Sequence, residues 1–218
     1  MTVSSPDTPA LRYDDRLRRR SSAETLRGQL VEAERTNVLT ALRSIEEDPA
    51  VLTAAIDLVA ARRRTVIGVG RSHFHAALFE HSLRAALGGV ALLGSDPEDS
   101  IDALTDFGPT DALVAFSFRR YRGHTIAVAR MAAEAGANVV AITDRADSPI
   151  ASFATSVIVV PTEGGSHLDS PTTITLVGHV LSTLAAARAK GARRRLNARE
   201  VLEEQLLDYS VRPREAGA

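Results

Sequence analysis

Thr65-Val66-Ile67-Gly68-Val69-Gly70-Arg71-Ser72 is the stretch on which the fold turns. Its first five residues form an apolar, largely β-branched run without polar alternation, the texture of a parallel strand covered on both faces. Two glycines and a serine close the run, and the 3.6-residue pattern of a helix follows over 72–87. A strand that passes through a glycine turn into a helix is the opening unit of a doubly wound sheet. The same strand texture returns four times, at 89–93, 112–116, 139–143 and 157–160. Helical patterns separate these runs at 97–104, 123–135, 149–153 and 171–190. Asp96-Pro97, Ser148-Pro149 and Ser170-Pro171 each place a capping residue before a proline, the signature of a helix start, and Gly88 and Gly136 stand where helices should stop. The expected fold class is therefore α/β: a three-layer α/β/α, doubly wound, five-stranded parallel sheet with right-handed crossovers.

Outward from this core, Leu26, Leu30, Ala33, Val38, Ala41, Leu42 and Ile45 recur at spacings of three to five and predict an amphipathic helix over 21–47. Asp48-Pro49 starts a second one, to about residue 62. A last amphipathic helix is expected over 198–207. Residues 1–20, rich in Ser, Pro and Arg with a local charge of +2, read as a disordered tail without the apolar core of an export signal. The division is 1–20 tail, 21–62 N-terminal helices, 63–192 the sheet domain and 193–218 a C-terminal helix and tail. The apolar faces of 21–47 and 198–207 exceed what a compact domain must cover, and predict a homodimer or a dimer of dimers.

Composition excludes several classes. With no Cys there is no disulfide framework, thiol nucleophile, thiolate zinc site or iron–sulfur cluster, which also suits a cytoplasmic setting. Twenty-seven acids against 26 bases give a net charge of −1, without the basic excess usual in nucleic-acid binders. The longest stretch free of Asp, Glu, Lys and Arg, 170–187, carries proline and four threonines and reads as a buried helix, not a membrane span. His73 and His75 are two apart on a helix and point to different sides, and His179 interrupts an apolar helix as a core histidine would. No metal and no cofactor are expected: the glycine turn lacks the third glycine of a dinucleotide site and the lysine of a P-loop.

Three loops at the carboxyl ends of the strands carry the chemistry. In the first, Gly68 and Gly70 let backbone approach an anion, Arg71 adds charge, and Ser72 is expected both to cap the helix and to donate to a ligand. In the second, Ser117, Arg119, Arg120 and Tyr121, with Arg122 beside them, can clamp an anion through planar guanidinium groups. In the third, residues 162–170, Glu163 and His167 are the available base and acid for proton transfer, and Ser170 adds a hydroxyl.

Gly68-Val69-Gly70-Arg71-Ser72, Ser117 with its neighbours, Ala141-Ile142-Thr143-Asp144 and Ser148-Pro149-Ile150 resemble, in that order and spacing, the SIS (sugar isomerase) domain. More narrowly they resemble the effector half of RpiR-family transcriptional regulators. Ser117-Phe118-Arg119-Arg120-Tyr121 is similar to one branch of that family, and Glu34-Arg35-Thr36-Asn37-Val38 to the helix preceding the domain, so the resemblance covers about residues 34–207. It implies a flavodoxin-like sheet and a phosphosugar site built from the first-loop serine and the loop after the third strand, usually completed across a homodimer. In the commoner pattern two serines and a threonine fill the second loop; here Arg119, Arg120 and Tyr121 take the later positions. Only 33 residues precede Glu34, so the helix-turn-helix module of the regulators is not expected, nor is direct DNA binding, and a true repressor would have to reach DNA through the arginine-rich tail. The expected function is a sensor or regulatory protein that binds a phosphorylated sugar or sugar derivative. The alternative is an aldose–ketose phosphosugar isomerase using Glu163 and His167.

Overall fold

The computed structural model describes residues 10–11, 13–14, 22–164 and 167–206. Five strands, β1 (Arg64–Gly68), β2 (Val90–Leu93), β3 (Ala112–Ser117), β4 (Asn138–Thr143) and β5 (Ser156–Val159), form one parallel sheet in the order β2-β1-β3-β4-β5. The helices are α1 (Ala23–Glu47), α2 (Pro49–Ala60), α3 (Arg71–Ala86), α4 (Pro97–Thr105), α5 (Gly123–Glu134), α6 (Thr172–Arg188) and α7 (Ala192–Leu206). Strand order reverses between β1 and β3, so their onward connections leave to opposite faces and open a crevice at the carboxyl edge.

Successive strand residues feed two cores. Val66, Val114, Phe116, Val140 and Ile142 pack with Leu58 of α2, Phe79 and Leu83 of α3, and Val177 and Leu181 of α6. Ile67, Leu113, Ala115, Val139 and Ala141 pack on the other face with Val128, Ala129 and Ala132 of α5. This is the three-layer arrangement expected from the unalternating apolar runs. Burial of α2 in the larger core makes it a member of the layer, not an appendage ahead of it. In contrast α1 buries only Asn37 and Ala41, and leaves Val31, Leu39 and Leu42 exposed.

Local details depart from the sequence reading in six places. Residues 149–153 hold only a single 3-10 turn, Ala151–Phe153, too short a span for an α-helix. Gly89, not Gly88, takes the positive φ (61°) after α3. His179 is exposed, because it lies on the solvent side of α6. The last helix begins at Ala192 and is anchored on the end of α3, where Arg195 Nε donates to the Arg84 carbonyl (3.0 Å). Ser72 does not cap α3: the cap position is Gly70, without a side-chain hydrogen bond. Within the expected tail, Ala10, Leu11, Tyr13 and Asp14 are helical; Arg16, Arg18, Arg19 and Arg20 lie outside the described residues.

At the opposite edge of the sheet one carboxylate ties β1 to β3. The Asp111 side chain, 1% exposed, accepts from Arg63 (Nη2, 2.8 Å) and from the Gly108 amide (3.0 Å), with Arg62 3.7 Å away. Its pKa is held below the ordinary 3.8, first by the Arg63 hydrogen bond and against the effect of burial. A depressed carboxyl stabilises the fold above its unfolded value and loses that contribution as pH falls through its folded value. Asp111→Asn should therefore cost about 2 kcal/mol near neutral pH. In urea melts the gap from the parent should be full above pH 3.8 and shrink below it.

Candidate functional site

Gly68 ends β1 with α3 pressed against it. A Cβ there would lie 2.5 Å from the Ser72 carbonyl oxygen, so only glycine lets the first turn of α3 sit so close. Gly70, at φ 68°, then turns the chain into the helix in a conformation that side chains resist. Above Gly70 lies the Arg122 guanidinium, 3.5 Å from where a Cβ would stand. The first and second loops thus meet across the β1/β3 crevice.

A cavity of about 210 Å³ fills this crevice. Of the residues expected from sequence, Arg71, Ser72, Ser117, Arg119 and Arg120 line it; Ser170 lines an adjoining space of about 60 Å³ that shares Arg71, Ser72, Arg119 and Asp169 with it. Gly68 and Gly70 shape its wall without lining it. Seven lining residues are not among the expected site members: Val69, Phe116, Phe118, Arg122, Thr125, Leu168 and Asp169. Arg122 was legible as a third base in the loop. Thr125 had no sequence signal beyond its place in the first turn of the next helix.

The floor is unusual in its polar bookkeeping. Ser117, 2% exposed at the end of β3, and Thr125, 1% exposed in α5, carry hydroxyls with no hydrogen-bond partner among the described residues. A buried hydroxyl left unpaired can take its partner from outside the chain, as water or ligand; the Tyr121 and Ser148 hydroxyls share that state away from the cavity. Helix capping points the same way. Side chains of Ser22, Asp48 and Asp96 cap α1, α2 and α4, whereas α3 and α5, which start at the cavity, have no side-chain cap among the described residues, and neither has α6 at its N-cap Pro171. The free N–H groups and positive dipole ends of α3 and α5 suit an anion.

Beside the cavity, Arg119 bridges two carboxylates, with Nε 3.5 Å from Asp144 Oδ2 and Nη2 3.8 Å from Glu163 Oε1. The Asp144 side chain is only 4% exposed and relies on this neighbour. Tyr121 lies behind the loop and does not line the cavity. Burial, and then the adjacent Asp144 carboxylate, push its phenol up to about 12. Glu163 and His167 are not brought together on the cavity. The Glu163 side chain is 72% exposed, and His167 meets the Tyr13 ring edge-on, with centroids 5.9 Å apart. What the third loop does contribute is Leu168 and Asp169, with Arg71 Nη2 3.4 Å from the Asp169 carbonyl. That loop is also held from the other side, where buried Asn37 of α1 donates Nδ2–H to the Glu163 carbonyl at 2.7 Å.

Residues 57–187 match the family model of the SIS domain. The chain is similar to the sugar isomerase domain of an RpiR transcription factor from Sphaerobacter thermophilus, at 27% identity and TM-score 0.75, over 83% of this chain and 99% of that one. In fold it is also similar to the Vibrio vulnificus NanR protein complexed with ManNAc-6P (17% identity, TM-score 0.72, 91% of this chain and 74% of that one). A third likeness in fold is to the c3406 protein of Escherichia coli CFT073 (15% identity, TM-score 0.61, 83% of this chain and 100% of that one). No curated protein sequence matches.

The environment of Tyr121 gives a direct check. Among the three tyrosines, spectrophotometric titration should find one phenol ionising near pH 12. Asp144→Asn should lower that value only part of the way to 10, because burial is the larger cause. A full return to 10 would place the cause in the carboxylate instead.

Proposed function

This chain belongs to the SIS domain family, and from that membership we propose that it binds a phosphorylated sugar or sugar derivative and acts as a sensor or regulatory protein, not as an enzyme. The observation that carries the reading is the pair of buried, unpartnered hydroxyls, Ser117 and Thr125, on the floor of an arginine-rimmed cavity. A phosphate oxygen or a sugar hydroxyl supplies the partner they lack, while the rim guanidinium groups and the uncapped starts of α3 and α5 neutralise the phosphate charge. Isomerisation would need a carboxylate within hydrogen-bond reach of the proton removed between C1 and C2. Glu163, the base expected from sequence, lines neither the cavity nor its annex; the carboxylate that lines both is Asp169. Support for a regulatory role comes from the likeness to the domain of an RpiR transcription factor, and from the Asn37 tie that joins α1 to the loop bordering the ligand space.

Calorimetric titration with a panel of hexose and pentose phosphates tests the reading. Ser117→Ala and Thr125→Val should each weaken the tightest ligand by about 1–2 kcal/mol, the scale of a hydrogen bond to a charged group. Glu163→Gln should leave affinity near the parent value, with no aldose–ketose turnover in either protein. Robust turnover abolished by Glu163→Gln would make the protein an isomerase.

Self-association belongs to the same reading. Val31, Leu39 and Leu42 on α1 and Val201, Leu202 and Leu206 on α7 are left at solvent, and we read them as the faces of a homodimer. Light scattering at micromolar concentration should return at least twice the chain mass; a single-chain mass would refute this.

A further inference from the structure

The cation balance of the cavity points beyond a simple sugar monophosphate. Four guanidinium groups, Arg71, Arg119, Arg120 and Arg122, line it against a single carboxylate, Asp169. Arg119 is matched within the protein by Asp144 and Glu163. The next base outward, Arg145, is matched by Asp147. Arg71, Arg120 and Arg122 form no ion pair among the described residues; Arg71 reaches only a main-chain carbonyl, and Arg122 lies over Gly70. Three unmatched cations and two uncapped helix starts, each worth roughly half a charge, thus face one carboxylate, leaving about three positive charges. Like charges that line one cavity repel one another, and an anion between them relieves the repulsion. A phosphate monoester brings about −1.5 to −2 at neutral pH and leaves roughly one positive charge unanswered.

We propose that the ligand carries a second anionic group, so that it is a sugar-acid phosphate or a sugar bisphosphate in preference to the monophosphate of a neutral sugar. This rests on the phosphosugar reading and narrows it. The annex of about 60 Å³, which shares Arg71, Ser72 and Arg119 with the main cavity and ends at Ser170, gives a ligand charged at both ends room to extend. Because Arg71, Arg120 and Arg122 are exposed at the rim, the preference is screened by salt.

The test uses the full chain and two matched pairs: glucose 6-phosphate with 6-phosphogluconate, and fructose 6-phosphate with fructose 1,6-bisphosphate, with orthophosphate as the bare anion. At low ionic strength at least one doubly anionic member should bind roughly tenfold tighter than its monophosphate partner, and the gap should narrow as salt is added. The first pair reports a carboxylate as the second group, the second pair a phosphate. In Arg120→Gln/Arg122→Gln both members of a pair should weaken, the doubly anionic one more, so that the preference falls below about threefold. Equal binding within both pairs, or a preference that survives the double substitution, overturns the second anion and leaves phosphate binding standing. No binding of orthophosphate or of any of the four sugars overturns both readings.

Discussion

Everything at the carboxyl edge of the sheet depends on how closely α3 can approach β1. The absent side chain at Gly68 lets the Ser72 carbonyl come within 2.5 Å of where a Cβ would be, and that contact fixes the start of the helix directly over the strand end. From there Arg71 and Ser72 reach the crevice without any further device. Across the crevice β3 runs parallel to β1 in register, Gly68 opposite Phe116, so Ser117 emerges at the height of the glycine turn. The chain then enters α5 on the other face, which returns Arg122 and Thr125 to the same space. Two crossovers on opposite faces of one sheet thereby aim two helix starts at one point.

Charge in the region is arranged in two tiers. The inner tier is settled within the protein: buried Asp144 is held by Arg119, and Arg119 also reaches Glu163. Asp144, with its side chain 4% exposed, has the Arg119 guanidinium as its charge partner, so Arg119 serves the fold as well as the cavity. The outer tier, Arg71, Arg120 and Arg122, forms no ion pair among the described residues and is exposed. Arginine suits it, since a planar fork presents fixed donors to an oxyanion without the reorganisation a lysine would need.

The sheet was readable in the chain because strands buried on both faces leave an unmistakable texture, and all five runs are strands within two residues of the expected ends. Asp48-Pro49 and Asp96-Pro97 were equally plain, because capping is a local matter of one side chain and the next amides. Site membership was readable only where it sat in a loop with glycine or clustered arginine. Thr125 escaped notice because a threonine in the first turn of a helix has no pattern of its own; only burial without a partner marks it. Pairing Glu163 with His167 failed for the opposite reason. Sequence proximity on one loop says nothing of direction, and one side chain faces solvent while the other turns to Tyr13. The tie from Asn37 to the Glu163 carbonyl spans 126 positions and could be seen only in three dimensions.

That last contact sets a rule for how such a site can diversify. Asn37 grips a main-chain oxygen, an atom that every residue offers, so the grip is blind to the side chain at position 163. The side chain at 163 can therefore change without freeing the backbone that carries it, whereas Gly164, where a Cβ would run into the Leu168 carbonyl oxygen, cannot take a side chain without a shift. Leu168 and Asp169, which line the cavity, sit on the same segment. Side-chain changes at 168 and 169 would reshape the cavity wall while the Asn37 contact keeps its main-chain partner.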